Sequence, residues 1–243
     1  MERKISAGSY DLNKFLHGGY EKDIITTIYG PAGTGKTNWC MLASVSQAKK
    51  GNKVIFVDTE GGFSVERFRQ LAAENCEEIL KNIILLKPVS FNEQIKSFSS
   101  LLKEIKEKGK IGLIVVDSMT MLYRLELAEA SQKNEQDKIK EINSELAKEM
   151  RILAEIARNR NIPVIITNQV YSEFLSKEEF EEGKKAETKM VGGSILSYWS
   201  KCIIELQNEK NKRKAILRKH RSLPQKILYF EITNSGIRKK GWI

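Results

Sequence analysis

Two hydrophobic rhythms alternate along this chain, and their alternation predicts the fold. Short runs that are apolar or β-branched at nearly every position lie at residues 24–29, 54–58, 83–86, 113–117 and 163–167. Runs without a polar face suit parallel strands covered on both sides. Between them the period lengthens to that of a helix. Residues 38–49 hold helix formers without Gly or Pro, and 64–80 reads as one helix. Ser90 and Glu93 form a capping box ahead of Ile95, Phe98, Leu101, Leu102 and Ile105. From residue 139 a long helix keeps Ile142, Leu146, Met150, Leu153 and Ile156 in register. Near the start, Leu12, Phe15 and Leu16 mark a short helix stopped by Gly18-Gly19.

Three stretches break the rhythm. Residues 119–138 are polar and less regular, with Tyr123-Arg124 near their start. Residues 171–190 read as a polar loop with room for a short helix at 176–179, closed by Gly192-Gly193. Beyond it, 202–206, 214–217 and 227–233 read as strands joined by tight polar turns, an antiparallel extension of the sheet. Without repeats or a Pro/Gly/Ser-rich linker, residues 1–243 are expected to form one α/β domain.

The turn after the first strand carries the chemistry. Gly30-Pro31-Ala32-Gly33-Thr34-Gly35-Lys36-Thr37 fits G-x-x-x-x-G-K-[ST] at every fixed position, between a strand and a helix. The glycines let backbone amides approach an anion closely at the positive end of the helix dipole. In such a loop Lys36 reaches the β- and γ-phosphates, and the Thr37 hydroxyl ligates Mg²⁺. The bland alternative is a glycine-rich turn that matches by chance.

Polar residues at the tips of later strands extend the pattern. Glu60 follows the strand 54–58 and is placed to orient an attacking water, unless it is an ordinary acid ahead of a helix. Leu113-Ile114-Val115-Val116-Asp117 is a Walker-B pattern, whose acid holds Mg²⁺ directly or through water. Asn168-Gln169 ends the strand 163–167 and either senses a γ-phosphate or caps the strand.

Charge adds a partner class. The net charge is +10, from 41 Lys+Arg against 31 Asp+Glu, and the surplus gathers after residue 207. Such a surplus favours polyanions such as DNA, or is simply a lysine-rich surface. Arg124, Lys210, Lys212, Arg213 and Lys214 are the candidate DNA contacts. The three cysteines are far apart, form no metal spacing, and are expected to be buried thiols. With no long apolar span or signal pattern, a cytoplasmic location off the membrane, associated with the nucleoid, is expected.

Taken in order, the motifs resemble the RecA/RadA recombinase superfamily across nearly the whole chain. The set is Ser6-x-Gly8-Ser9-x-x-Leu12, Gly18-Gly19, the phosphate loop, Asp58-Thr59-Glu60-Gly61, the segment ending Asp117-Ser118, Thr167-Asn168-Gln169-Val170, Gly192-Gly193 and Leu223-Pro224. The resemblance implies a RecA-like P-loop ATPase core: a mostly parallel central sheet with helices on both faces. It implies ATP and Mg²⁺ as cofactors, single- or double-stranded DNA as partner, and self-association with ATP near a subunit interface. Because the chain starts near the ATPase core, a short archaeal paralogue without the N-terminal helix-hairpin-helix domain is expected. Such a paralogue would assist a full-length recombinase or another recombination protein.

The resemblance also implies residue roles. Glu60 matches the catalytic glutamate, Asp117 the Walker-B acid, and Gln169 the residue coupling the γ-phosphate to a DNA-binding loop. Asn38 continues the nucleotide-contacting start of the P-loop helix. Lys219 and Arg221 stand where related ATPases place basic fingers that reach a neighbour's ATP, or are exposed charge in a turn. Ser64 replaces an expected Arg, leaving Arg67 as the candidate to stack on adenine. Residues 171–190 carry six glutamates against four lysines, a poor phosphate-binding surface. Four functions follow: a DNA-dependent ATPase of low rate that assists homologous recombination and repair, a strand-exchange enzyme, a KaiC-like signalling ATPase that does not act on DNA, or an architectural mediator that binds ATP without turnover.

Overall fold

The computed structural model describes residues 3–107, 110–172, 188–209 and 212–241. The chain opens with β1 (Lys4–Ile5), α1 (Tyr10–Phe15) and β2 (Tyr20–Glu21), then β3 (Ile25–Tyr29) and α2 (Lys36–Ala48). β4 (Lys53–Asp58), α3 (Val65–Ala72), α4 (Cys76–Leu80), β5 (Ile83–Leu86), α5 (Phe91–Glu107) and β6 (Ile111–Asp117) follow. Next come α6 (Met121–Gln132), α7 (Gln136–Arg160), β7 (Val164–Asn168), β8 (Val170–Ser172), β9 (Thr188–Met190) and α8 (Gly193–Trp199). The last elements are β10 (Cys202–Glu209), β11 (Lys212–His220), β12 (Lys226–Thr233) and β13 (Gly236–Lys239).

Among the described residues, nine strands form one sheet in the order β13-β12-β11-β10-β3-β7-β6-β4-β5. From β10 to β5 every pairing is parallel, whereas β11, β12 and β13 are added antiparallel. The expected parallel sheet with an antiparallel C-terminal extension is therefore present.

Each parallel strand feeds both faces. Val54 and Phe56 pack into one core with Trp39, Met41 and Phe68, under α2 and α3. Ile55 and Val57 pack into the other with Phe98, Leu146 and Met150, under α5 and α7. Side chains alternate across a strand, so a run apolar at every position is what two covered faces demand.

Several expected boundaries move. The segment 64–80 is two helices, because Ala73 and Asn75 take left-handed backbone angles (φ 57° for both) that interrupt the first. Residues 119–138 are not irregular: α6 occupies most of them, burying only Leu122, Tyr123 and Ala130. So narrow an apolar stripe on a charged segment hides its own period. α7 begins at Gln136, ahead of the expected 139, and α2 begins at Lys36 rather than Asn38. The β1–β2 pair was not legible, being two residues per strand. The helix expected at 176–179 lies outside the described residues. All three cysteines are free; Cys40 and Cys202 are buried, and Cys76 only partly so.

Candidate functional site at the phosphate loop

Parallel pairing brings the carboxyl ends of β3, β7, β6 and β4 to one edge of the sheet. Tyr29 lies opposite Asn168, and Asp58 opposite Asp117. Ligands of open α/β sheets bind at that edge. Here it gathers the phosphate loop, Glu60, Asp117 and Gln169, four features spread over about 140 residues of sequence.

The loop is built for close backbone approach. A side chain on Gly30 would place Cβ 2.1 Å from the Leu206 carbonyl oxygen, so only glycine lets β3 leave the sheet beside β10. Gly35, in a left-handed conformation (φ 104°), is the N-cap of α2. No side chain caps that helix and its first turn holds no acid, which leaves its amides to an anion. Thr34 Oγ1 donates to the Pro31 carbonyl (2.8 Å) and closes the loop on itself.

Lys36 is buried, and its Nζ donates to the Gly30 and Pro31 carbonyls (2.8 and 3.0 Å) and to Gln169 Oε1 (3.2 Å). Burial lowers its pKa, a shift that Glu60 and Asp117 oppose through their charge. Gln169 Nε2 in turn donates to both carboxylate oxygens of Glu60, at 3.1 and 3.2 Å. One amide thus joins the loop lysine to the candidate base.

Asp58 sets where Glu60 stands. Its two oxygens accept the Gly62 and Phe63 amides (2.9 and 3.0 Å), folding residues 59–63 back across the tip of β4. Thr59 ties the same turn to β6: its hydroxyl donates to the Ser118 carbonyl (2.8 Å) and accepts the Ser118 amide (2.9 Å).

Asp117 is buried. Thr167 donates to its Oδ1, while Oδ2 has no well-formed hydrogen bond. The Thr37 hydroxyl lies with Oδ2 beside Gly62 and favours the ionised carboxylate. Burial dominates and raises the carboxyl's pKa. An orphaned carboxylate oxygen facing a threonine hydroxyl is a donor pair that fits Mg²⁺, which takes one or two protein oxygens and completes its shell with phosphates and water. Among the described residues no cluster of three or more His, Cys, Asp or Glu offers a fuller metal cage.

The chain matches the family described as Rad51 over residues 3–240. The chain belongs to the Rad51 family. Among its relatives, "DNA repair and recombination protein RadB" of Methanobrevibacter smithii is 42% identical over 93% of this chain and 92% of that protein. Proteins of the same name from Methanocaldococcus jannaschii (41% identical, 93% of this chain and 98% of that protein) and Methanococcoides burtonii (40%, 98% and 99%) are similar over nearly their full lengths. Within the RecA/RadA superfamily this Rad51-family chain therefore resembles RadB. The RecA-like family generally binds ATP with Mg²⁺.

On this Rad51-family core the remaining candidates fall in different places. Asn168 acts as the strand-end cap: its side chain bonds Thr120 and the Val191 carbonyl (2.7 Å), and its carbonyl accepts the Gly30 amide (3.3 Å). Only Gln169 of that pair faces the cleft. Arg67 is a clamp. Nε donates to Asn38 Oδ1 (2.7 Å), and its other nitrogens reach Gln70 and the Thr233 and Asn234 carbonyls. It joins the start of α2 to the β12–β13 turn.

Lys219 and Arg221 lie at the far end of β11, away from their own phosphate loop. Lys219 donates to the Ser197 carbonyl (2.8 Å). Arg221 is held by Asp23 (2.7 and 2.8 Å) and Glu21 (2.9 Å), contacts that raise its pKa. Of the candidate DNA contacts, Arg124 and Lys212 are exposed, Lys214 stands 3.7 Å from Glu209, and Lys210 lies outside the described residues.

Arg213 is placed elsewhere. It lines the phosphate-loop cleft, about 430 Å³ in volume, together with Gly33, Gly35, Lys36, Thr37, Glu60, Gln169 and Ile232. Sequence reasoning grouped it with the surface lysines by composition. The signal that separates it is phase: Arg213, Ala215 and Leu217 share one side of β11, and the last two are buried. Asp58, Thr59 and Thr167 stand in the motif set but were given no role there. Their roles come from backbone geometry and neighbouring strands, which spacing along the chain does not encode.

Proposed function

We propose that this chain is an ATP- and Mg²⁺-dependent recombinase paralogue that binds DNA in homologous recombination and repair, with slow ATP turnover serving as a conformational and assembly switch. The relatives' shared name, DNA repair and recombination protein, supports the biological setting. The observation that carries the biochemical reading is the bridge from Lys36 through Gln169 to Glu60 at the mouth of the phosphate loop.

In this reading the α2 amides and Lys36 hold the triphosphate, and Thr37 and Asp117 hold Mg²⁺. Bound there, the metal neutralises charge on the phosphate oxygens. Glu60 accepts the proton of the attacking water. Gln169 orients Glu60 and, when a phosphate competes for Lys36, is released from it. That change passes into the backbone beyond: the Val191 amide bonds the Gln169 carbonyl (3.3 Å), and β8 and β9 pair from Val170–Met190 outward. The base of the segment 173–187 is thus attached to the residue that meets the phosphate. Arg124, Lys210, Lys212 and Lys214 supply cationic contacts for DNA. Lys219 and Arg221 reach a second copy's nucleotide on self-association, Arg221 after leaving Asp23. A full-length recombinase is a second protein partner. The protein works in the cytoplasm, at the nucleoid; among the described residues no helix is long and apolar enough to cross a membrane.

The test is ATP turnover by the purified chain with and without single-stranded DNA, alongside DNA affinity across a salt series. Stimulated turnover, and an affinity that falls by orders of magnitude between low and moderate salt, are expected for phosphate contacts. Turnover indifferent to DNA and no salt-dependent binding would contradict the DNA role.

A further inference from the structure

We propose that Arg213 is a ligand of the triphosphate in its own subunit, delivered from the antiparallel extension rather than from the phosphate loop. This inference rests on the nucleotide reading above.

Three observations converge on it. Register places the side chain: Arg213 lies opposite Phe230 on β12 and opposite Asn208 on β10. Ile232, two residues beyond Phe230 and on the same face, lies so close to the loop that a Cβ on Gly35 would sit 2.7 Å from its Cδ1. The face of β11–β12 that carries Arg213 is therefore the face against which the phosphate loop is packed.

Burial and charge pairing together set Arg213 apart from its neighbours, since the adjacent Lys212 is exposed. Lys214 stands 3.7 Å from Glu209, Arg218 2.5 Å from Glu205, and Arg221 is held by Asp23 and Glu21. Arg213 has no acidic partner among the described residues, and its Nε is buried without a hydrogen-bond acceptor. A guanidinium N–H removed from water and left unpaired is unfavourable. Glu60, the one acid among the described residues that line the cleft, is engaged by Gln169.

An anion entering the cleft resolves that deficit. The guanidinium presents planar, paired donors that match phosphate oxygens. Two of the Lys36 donors stay on loop carbonyls even when Gln169 yields to a phosphate, so a second cation in the cleft adds binding capacity. Binding would also tie β11, whose far end carries Lys219, to the nucleotide state.

The experiment measures Mg·ATP affinity by calorimetry for wild type, Arg213→Ala, Arg213→Gln, Arg213→Lys and Lys36→Ala, with melting curves recorded before ligand is added. Loss of a charge-assisted contact should weaken ATP binding about tenfold to a hundredfold in Arg213→Ala and Arg213→Gln, and less in Arg213→Lys. Wild-type affinity in Arg213→Gln alongside loss in Lys36→Ala would overturn the role of Arg213 and leave the nucleotide site standing. No ATP binding by the wild type would overturn both. Should Arg213→Ala melt early, the Gln and Lys variants decide: equal affinities for the two would overturn the proposal.

Discussion

Gln169 Nε2 sits 3.1 and 3.2 Å from the two carboxylate oxygens of Glu60, and Gln169 Oε1 accepts from Lys36 Nζ at 3.2 Å. Two opposite charges that would otherwise attract directly are kept apart by one neutral amide. Glu60 is exposed, so its position depends on this tether and on the Asp58 turn rather than on packing.

On the reading proposed above, with Glu60 as the base, the tether separates binding from turnover. Glu60→Gln removes the proton acceptor, and turnover should fall by about a hundredfold or more while ATP affinity stays within about threefold. Gln169→Ala leaves both charges in place but unpositioned, with an expected loss of about tenfold to a hundredfold in turnover. Steady-state ATPase rates beside calorimetric affinities check both. Unchanged turnover in Glu60→Gln would mean that another base acts.

On the Mg²⁺ reading proposed above, the Thr167 hydroxyl supports the metal ligand rather than the metal. It donates to Asp117 Oδ1 and fixes the carboxylate so that Oδ2 faces Thr37. Thr167→Val keeps the volume and removes the donor. Metal affinity should fall roughly tenfold to a hundredfold. Burial already raises the Asp117 pKa, and losing the donor raises it further, so protons compete with the metal more strongly at low pH. A Mg²⁺ titration of ATP binding at two pH values tests this, and identical curves for wild type and variant would count against it.

A second buried carboxyl lies away from the cleft. Glu149 on α7 is packed in the core, and burial pushes its pKa up to about 8. Gln94 Nε2 donates to Glu149 Oε2 (2.8 Å), whereas Glu149 Oε1 and Gln94 Oε1 are both buried without partners. A protonated Glu149 carries the donor that Gln94 Oε1 lacks. The unfolded carboxyl ionises near its ordinary value of 4.5, below the folded one. Between pH 4.5 and about 8 the folded state therefore binds the extra proton, and this group's contribution to stability declines as pH rises. The slope reaches at most about 1.4 kcal/mol per pH unit. Glu149→Gln, which mimics the protonated acid, should flatten the pH dependence of urea unfolding across that window. An unaltered slope would show that Glu149 is ionised in the fold.

Much of this was legible in the chain. The alternation of fully apolar runs with helical periods gave the parallel sheet, because strands covered on both faces admit no polar phase. The meeting of the phosphate loop, Glu60, Asp117 and Gln169 at one sheet edge was legible because each sits at a strand tip, where an apolar run ends in a polar residue. Arg213 was not, since its neighbours Lys212 and Lys214 read as surface, and only strand phase distinguishes it. The contacts of Arg67 with two carbonyls of the β12–β13 turn, 166 and 167 residues away in sequence, were not legible either. α6 was hidden because it buries only Leu122, Tyr123 and Ala130, and the break near Ala73 because Asn75, the residue type there suited to a left-handed angle, was not read as a stop.

The central claim is that one strand-to-helix corner grips a triphosphate with help from neighbouring strand tips. Calorimetric titration of Mg·ATP into wild type and Lys36→Ala tests it most directly. Saturable binding by the wild type, weakened about a hundredfold or abolished in Lys36→Ala, is the predicted result. Equal affinity in the two proteins would contradict the account.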